Sequence, residues 1–442
     1  MKKSSNIILI MSDDLGYEAL GCNGGTSYKT PVLDNLAESG ARFDSAHVQP
    51  LCTPTRIQLM TGKYNFRNYI GFGLMDPNEV TFGHIFKNQG YKTCIAGKWQ
   101  LYSYAPLDES PELRNKGQKI EDAGFDEYSV WHAHHTEDKG SRYKDPVIYQ
   151  NGNYLNNTEN KYGDDIFCDY ILDFAERNKS EPFFAYFPMA LTHRPFEPTP
   201  DSPEWEEFES YTNSENSRKG RTFNTVEGWD DNPKFYKDMV EYHDKIIGRL
   251  IDGLEEMGLR EDTLVIYVGD NGSPIEVCSI MHNHDEVCGG KGLTKDRGTH
   301  VPLICNQPGK IDRSVIYDLV DSTDFLPTIL EAAGISAPKD YVMDGRSFYP
   351  QLLGENGTPR DWIFFHFDPL SPRSIISGSP AASKPLIRFV REKRWKLYDD
   401  GRLYDLKEDP DEDIPLLSSS DSDNDNSKNI RTKLEKVLET MQ

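Results

Sequence analysis

The run Leu51-Cys52-Thr53-Pro54-Thr55-Arg56-Ile57-Gln58-Leu59-Met60-Thr61-Gly62 constrains this chain more than any other stretch. Pro54 suits the first turn of a helix, where its missing N–H costs nothing, and Gly62 suits the helix end. Cys52 then stands at a helix N-terminus, where free N–H groups and the helix dipole favour an anion. Arg56, four residues on, lies over the same face. A sulfur at such a helix start with a forked cation beside it points to chemistry on an oxyanion group.

Around this run, apolar strands alternate with amphipathic helices. Strands are expected near residues 6–11, 41–48, 91–96, 182–189, 263–268 and 301–305, and helices near 30–40, 81–89, 164–177, 235–257 and 320–333. Alternation of this kind predicts a mainly parallel sheet covered on both faces, with working residues beyond the carboxyl ends of its strands. Two strand ends carry carboxylates: Ser12-Asp13-Asp14-Leu15-Gly16 and Gly269-Asp270-Asn271-Gly272. Carboxylates at buried strand ends are costly unless a cation holds them. Two others carry Gly97-Lys98-Trp99-Gln100 and Thr192-His193-Arg194-Pro195.

Residues 102–160 read as irregular and polar, with His132, His134 and His135 closely spaced. Residues 197–232 read as a lid or rim beside the pocket, carrying Trp205, Tyr211, Trp229, Arg218, Lys219 and Arg221. From about residue 360, short runs at hairpin spacing predict an antiparallel subdomain, then a mobile polar stretch at 417–428 and a terminal helix at 429–440. The expected division is 1–359 and 360–442. The net charge of −23 excludes nucleic acid as a partner, because phosphate contacts need basic patches. No apolar run approaches the roughly 20 residues of a membrane span. Residues 7–11 are too short for a signal-peptide core. The reading favours a periplasmic or secreted protein whose signal has been removed, with a cytoplasmic protein as the alternative. Seven cysteines are too few for a disulfide scaffold, and a Cys278–Cys288 bridge stays open at even odds.

Taken together these segments resemble the type I sulfatases of the alkaline-phosphatase-like superfamily, over nearly the whole chain. Cys52-x-Pro54-x-Arg56 with Thr61-Gly62 matches the signature, and Leu403-Tyr404-Asp405-Leu406 resembles the C-terminal one. The resemblance implies an α/β three-layer sandwich with a mainly parallel central sheet and a small C-terminal antiparallel α+β subdomain. It implies that Cys52 is oxidised to formylglycine by a maturase. It also implies an all-oxygen metal site of Asp13, Asp14, Asp270 and Asn271, with Cys52 as the modified ligand. Such a site suits Ca²⁺, with Mg²⁺ less favoured. Hydrated formylglycine would attack sulfur, Arg56, Lys98 and Lys291 would hold the sulfate oxygens, and His193 would protonate the departing alkoxide. Gln100 departs from the family's histidine; an amide can hydrogen-bond the nucleophile but cannot take its proton. Asp296-Arg297-Gly298, where the family tends to have Glu-Gly-Gly, reads as loop variation.

The expected substrate is a sulfated carbohydrate, met by His282, His284, Arg194 and His134. The alternatives are a phosphodiesterase or phosphonate monoester hydrolase of the same superfamily, or an inactive sulfated-glycan-binding protein.

Overall fold

The computed structural model describes residues 5–104, 113–208, 233–368, 386–416 and 425–441. Its strands are β1 Asn6–Ser12, β2 Ala41–His47, a small ribbon of β3 Tyr69–Gly71 and β4 Leu74–Met75, β5 Lys92–Lys98, β6 Glu127–Trp131, β7 Ile148–Gln150, β8 Asn153–Tyr154, β9 Phe183–Pro188 and β10 Thr263–Gly269. A hairpin of β11 Cys278–Ile280 and β12 Glu286–Cys288 follows, then β13 Leu303–Asn306 and β14 Ser314–Asp321. The central sheet runs β14-β2-β13-β10-β1-β9-β5-β6-β7-β8. Its middle strands are apolar without alternation, and every residue of β1, β9 and β10 is buried, as strands covered by helices on both faces must be. Separate hydrophobic clusters pack each face.

β10, β1, β9, β5 and β6 are mutually parallel, so their carboxyl ends share one edge. β13 runs antiparallel to β10 and β2. Three strands fall inside the stretch read as irregular: β6, β7 and β8 are short, and β8 is exposed. The expected helix at 320–333 is shorter. Residues 314–321 form β14, and the helix Phe325–Ala333 starts only after Asp321 accepts from Thr323 N at 2.9 Å while Asp324 accepts from Asp321 N. That capping box ends the strand and opens the next turn.

A second sheet of β15 Ile363–Phe367, β16 Ile387–Arg391, β17 Trp395–Tyr398 and β18 Leu403–Asp405 is wholly antiparallel and is backed by the helix Asp425–Thr440. Buried ion pairs tie this sheet to the main body. Arg360 meets Asp324 at 2.6 Å and Arg391 meets Asp296 at 2.7 Å, while Lys396, paired within the subdomain with Glu412 at 2.8 Å, donates across to Thr294 O. Asp296 thus anchors the second sheet, a role beyond loop variation. Cys278 and Cys288 face each other across the hairpin and form a disulfide. Among the described residues, no helix is long and apolar enough to cross a membrane.

Candidate active site

The site gathers at the carboxyl edge of the sheet. β1 and β10 pair in parallel register up to Ser12 opposite Gly269, so Asp13–Asp14 and Asp270–Asn271 emerge side by side. Asp14 N donates to Asp270 Oδ1 at 3.0 Å, and Asn271 Nδ2 donates to Asp14 Oδ1 at 2.8 Å. Asp14 is left-handed, φ 65°, a conformation Asp tolerates better than most residues. Helix α1 spans Pro31–Glu38. Helix α2, Cys52–Thr61, begins with Cys52, as its proline and closing glycine predict. Cys52 Sγ is within 4.8 Å of carboxylate oxygens of Asp13 and Asp270.

Lys98 ends β5 and donates to Asp13 Oδ2 at 2.7 Å, with both side chains 2 % exposed. The strand reaches that point because Gly97 lies against Pro188 of β9, where any Cβ would stand 2.0 Å from a carbonyl oxygen. Lys291 follows the disulfide hairpin and donates to Asp14 Oδ2 at 2.5 Å. His193 follows β9. Its Nδ1 faces Arg194 O at 2.6 Å, which fixes the proton on Nδ1, and its Nε2 stands 3.8 Å from Asp14 Oδ2.

Burial opposes ionisation of Asp13, but Lys98, with Lys291 and Arg142 behind it, holds its carboxyl below the usual carboxylate range. Burial pushes Asp14 up despite Lys291, and burial with the charges of Asp13 and Asp14 pushes Asp270 well up. Burial, then Lys291, Arg142 and Lys98, holds His193 well below the usual imidazole range. Burial also raises the Cys52 thiol, so as a cysteine it rests protonated.

Three carboxylates with lysine partners for only two of them lack a cation. Asp13 Oδ1 and Asn271 Oδ1 are buried without a hydrogen-bond partner. Two orphaned oxygens and a carboxyl driven toward neutrality fit a hard divalent ion, so these residues can hold one.

The other expected residues separate. Arg56 is 1 % exposed and spends both terminal nitrogens on main-chain carbonyls: Nη1 donates to Trp99 O and Nη2 to Lys98 O, each at 2.6 Å. It therefore braces the turn that carries Lys98, while its Nε is buried without a hydrogen-bond partner among the described residues. Gln100 is buried at the end of that turn, φ 48°, its N–H on His132 O. Arg194 is exposed and paired with Glu276 at 2.8 Å. His282 and His284 stand exposed on the hairpin loop, and no contact joins them to Cys52 among the described residues.

His134 bonds Tyr154 OH at 2.9 Å and, with Tyr102, Lys119, Asp138 and His135, lines a cavity of about 710 Å³. His132, buried, turns to Thr136, so the three histidines do not share a ligand point. Trp205 is buried against Lys144, 4.6 Å from ring centre to Nζ, and belongs to the core, not the rim. The rest of the expected lid, at 209–232, and most of the polar stretch, at 417–424, lie outside the described residues. Sequence reading missed Arg142, whose charge reaches Asp13 and His193, because a single arginine in a polar stretch carries no pattern.

A family model described as Sulfatase matches residues 5–335. A second, described as N-sulphoglucosamine sulphohydrolase, C-terminal, matches 290–442. Arylsulfatase A of Homo sapiens is 28 % identical, covering 93 % of this chain and 83 % of that protein. An N-acetylglucosamine-6-O-sulfatase of Bacteroides thetaiotaomicron is 25 % identical, covering 93 % and 82 %. A solved structure in complex with its substrate D-glucosamine-2-N,6-O-disulfate superposes with a TM-score of 0.74 at 23 % identity, covering 100 % of this chain and 98 % of that one, and shares the fold. With the model match spanning the strand ends that carry Asp13, Cys52, Lys98, His193, Asp270 and Lys291, the chain belongs to the sulfatase family and is a sulfuric ester hydrolase.

Proposed function

We propose that this protein hydrolyses a sulfate ester on a carbohydrate, through formylglycine formed at Cys52 and a Ca²⁺ ion held by Asp13, Asp14, Asp270 and Asn271. The observation that carries the reading is the convergence of Cys52 with these oxygens and with Lys98, Lys291 and His193 at one sheet edge. When bound, the ion supplies positive charge that acidifies the nucleophile's hydroxyl, and formylglycine supplies that hydroxyl as a hydrated aldehyde.

The chain's own groups do the rest. Lys98 and Lys291 meet the sulfate oxygens and offset charge that grows in the transition state. Once protonated to imidazolium, His193 passes the Nε2 proton to the departing sugar oxygen, while its Nδ1–H stays on Arg194 O. Gln100 orients the nucleophile without taking its proton. Arg56 keeps Lys98 in place.

Carbohydrate is favoured over aryl substrates because relatives named for N-acetylglucosamine and N-acetylgalactosamine 6-sulfates stand beside the arylsulfatases. Tyr102, His134 and Tyr154 also give the cavity they line rings and hydrogen-bonding groups suited to sugar. Residues 1–359 form the catalytic unit and 360–442 its C-terminal subdomain. Cys52 is 1 % exposed, so the maturase acts before the fold closes. The Cys278–Cys288 bridge fits an exported protein.

The test is sulfate release by protein co-expressed with a maturase, from sulfated mono- and oligosaccharides, including hexosamine 6-sulfates. An aryl sulfate, phenyl phosphonate and a phosphodiester stand beside them. Turnover of the sugars above the rest is expected. Faster phosphonate or diester hydrolysis favours the other superfamily activities, and no turnover with Cys52 fully converted favours a binding protein.

A further inference from the structure

Arg142 is 8 % exposed, and its Nη1 is buried without a hydrogen-bond partner among the described residues. Its guanidinium lies over the Trp131 ring, 4.0 Å from the ring centre. Trp131 ends β6 directly beside Lys98 in the sheet register. The next residue, Tyr143, donates its hydroxyl to Ala190 O at 2.7 Å and to His193 O at 2.5 Å. Arg142 is therefore held between the strand end carrying Lys98 and the turn carrying His193, and its charge is felt at both Asp13 and His193.

A guanidinium stacked on an indole keeps its in-plane N–H edge for a planar or tetrahedral oxyanion, bound through a fork. Among the described residues no carboxylate forms an ion pair with it, and burying it so is costly, as it is for the orphaned Asp13 and Asn271 oxygens. Arg56, the arginine of the sequence motif, has both terminal nitrogens on the Lys98 and Trp99 carbonyls and so offers no free terminal pair to an anion.

We infer that Arg142 is a specificity-determining residue that binds a second anionic group, sulfate or carboxylate, on the sugar that bears the scissile sulfate or on its neighbour. This rests on the sulfatase reading above, and the chemistry it names is a substrate carrying at least two negative groups close together. The preference coexists with the chain's net charge of −23, since the cations that meet the substrate are confined to the pocket.

The test separates this inference from turnover. In the Cys52→Ala background, calorimetry measures binding of sugar pairs matched except for a second sulfate in one series and a uronate carboxylate in the other. The doubly charged member of at least one series is expected to bind tenfold or more tightly than its singly charged partner, and the series identifies the group. Arg142→Met is expected to abolish that advantage, and Arg142→Lys to retain more of it than Met does. Circular dichroism and a thermal melt check each fold. Equal affinity within both series, an advantage that survives Arg142→Met, or a Lys variant no better than Met overturns the inference. Sulfate release by the matured wild-type protein, measured separately, tests the sulfatase reading itself.

Discussion

Arg56 Nη2 donates to the main-chain oxygen of Lys98 at 2.6 Å, so the motif's arginine holds in place the turn from which Lys98 reaches Asp13. The bond spans a sequence separation of 42 residues, and its twin to Trp99 O locks the same turn. Arg56→Lys keeps the charge but loses the fork, leaving a carbonyl and an ammonium imperfectly paired in a buried site. The expected outcome is a loss of about 2–4 kcal/mol in urea unfolding together with a fall in kcat of roughly a hundredfold as Lys98 shifts. A rise in KM alone, with unfolding unchanged, would mean that the guanidinium meets the substrate directly.

Metal dependence follows from the carboxylate count. Asp270 is pushed well up by burial and by Asp13 and Asp14. A carboxyl raised above its unfolded value favours the metal-free fold below about pH 4, and that contribution is lost as pH rises through the raised value. A bound divalent ion reverses this, since it needs the ionised form. The rise in melting temperature on adding Ca²⁺ should therefore grow as pH rises above the usual carboxylate range, and Asp270→Asn should shrink it while abolishing turnover. An increment independent of pH would remove Asp270 from the ligand set.

Much of this arrangement was legible because it is written locally. Pro54 and Gly62 bracket α2, and apolar runs ending in Asp13–Asp14 and Asp270–Asn271 announce strand tips with oxygen ligands. What was not legible depends on the fold. A helix face says where Arg56 points but not that the Lys98 carbonyl waits there. Arg142 gains meaning only once Trp131 is beneath it. β6 to β8 are too short for periodicity to show, and β14 went unread, its last two residues taken into the following helix although Asp321-Ser322-Thr323-Asp324 carried the capping signal. The disulfide was open on spacing and is decided by hairpin register, which sets Cys278 opposite Cys288.

His193 should matter in proportion to how poor the leaving group is. A sugar alkoxide needs a proton as it departs, whereas 4-nitrophenolate leaves unaided. His193→Gln is expected to lower kcat about 10²–10⁴-fold on a sugar sulfate and by far less on 4-nitrophenyl sulfate. Burial and the charges of Lys291, Arg142 and Lys98 keep the free imidazole neutral near pH 7, so kcat/KM on the sugar should rise as the solution is made more acidic. Bound sulfate offsets those lysines, so the kcat profile should sit at higher pH than the kcat/KM profile. Equal losses on both leaving groups would move His193 from proton donor to a binding role.

His243 gives the chain an acid-sensitive core independent of the site. It is fully buried on the helix Phe235–Glu256 against Tyr267 of β10, with ring centroids 5.6 Å apart, and neither ring nitrogen has a hydrogen-bond partner among the described residues. Burial holds its pKa down at about 3. An imidazole depressed below its unfolded value of about 6.5 contributes stability that is fully present above pH 6.5 and is lost as pH falls toward 3. Between pH 6.5 and pH 4.5 that loss is roughly 2–3 kcal/mol. His243→Phe removes both the unpaired nitrogens and the titration while nearly preserving the ring's shape. Urea unfolding should show the variant at least as stable as wild type at pH 7, with an advantage that widens by about 2–3 kcal/mol at pH 4.5. The same offset at both pH values would show that His243 titrates as it does in the unfolded chain, and that water reaches it in the native state.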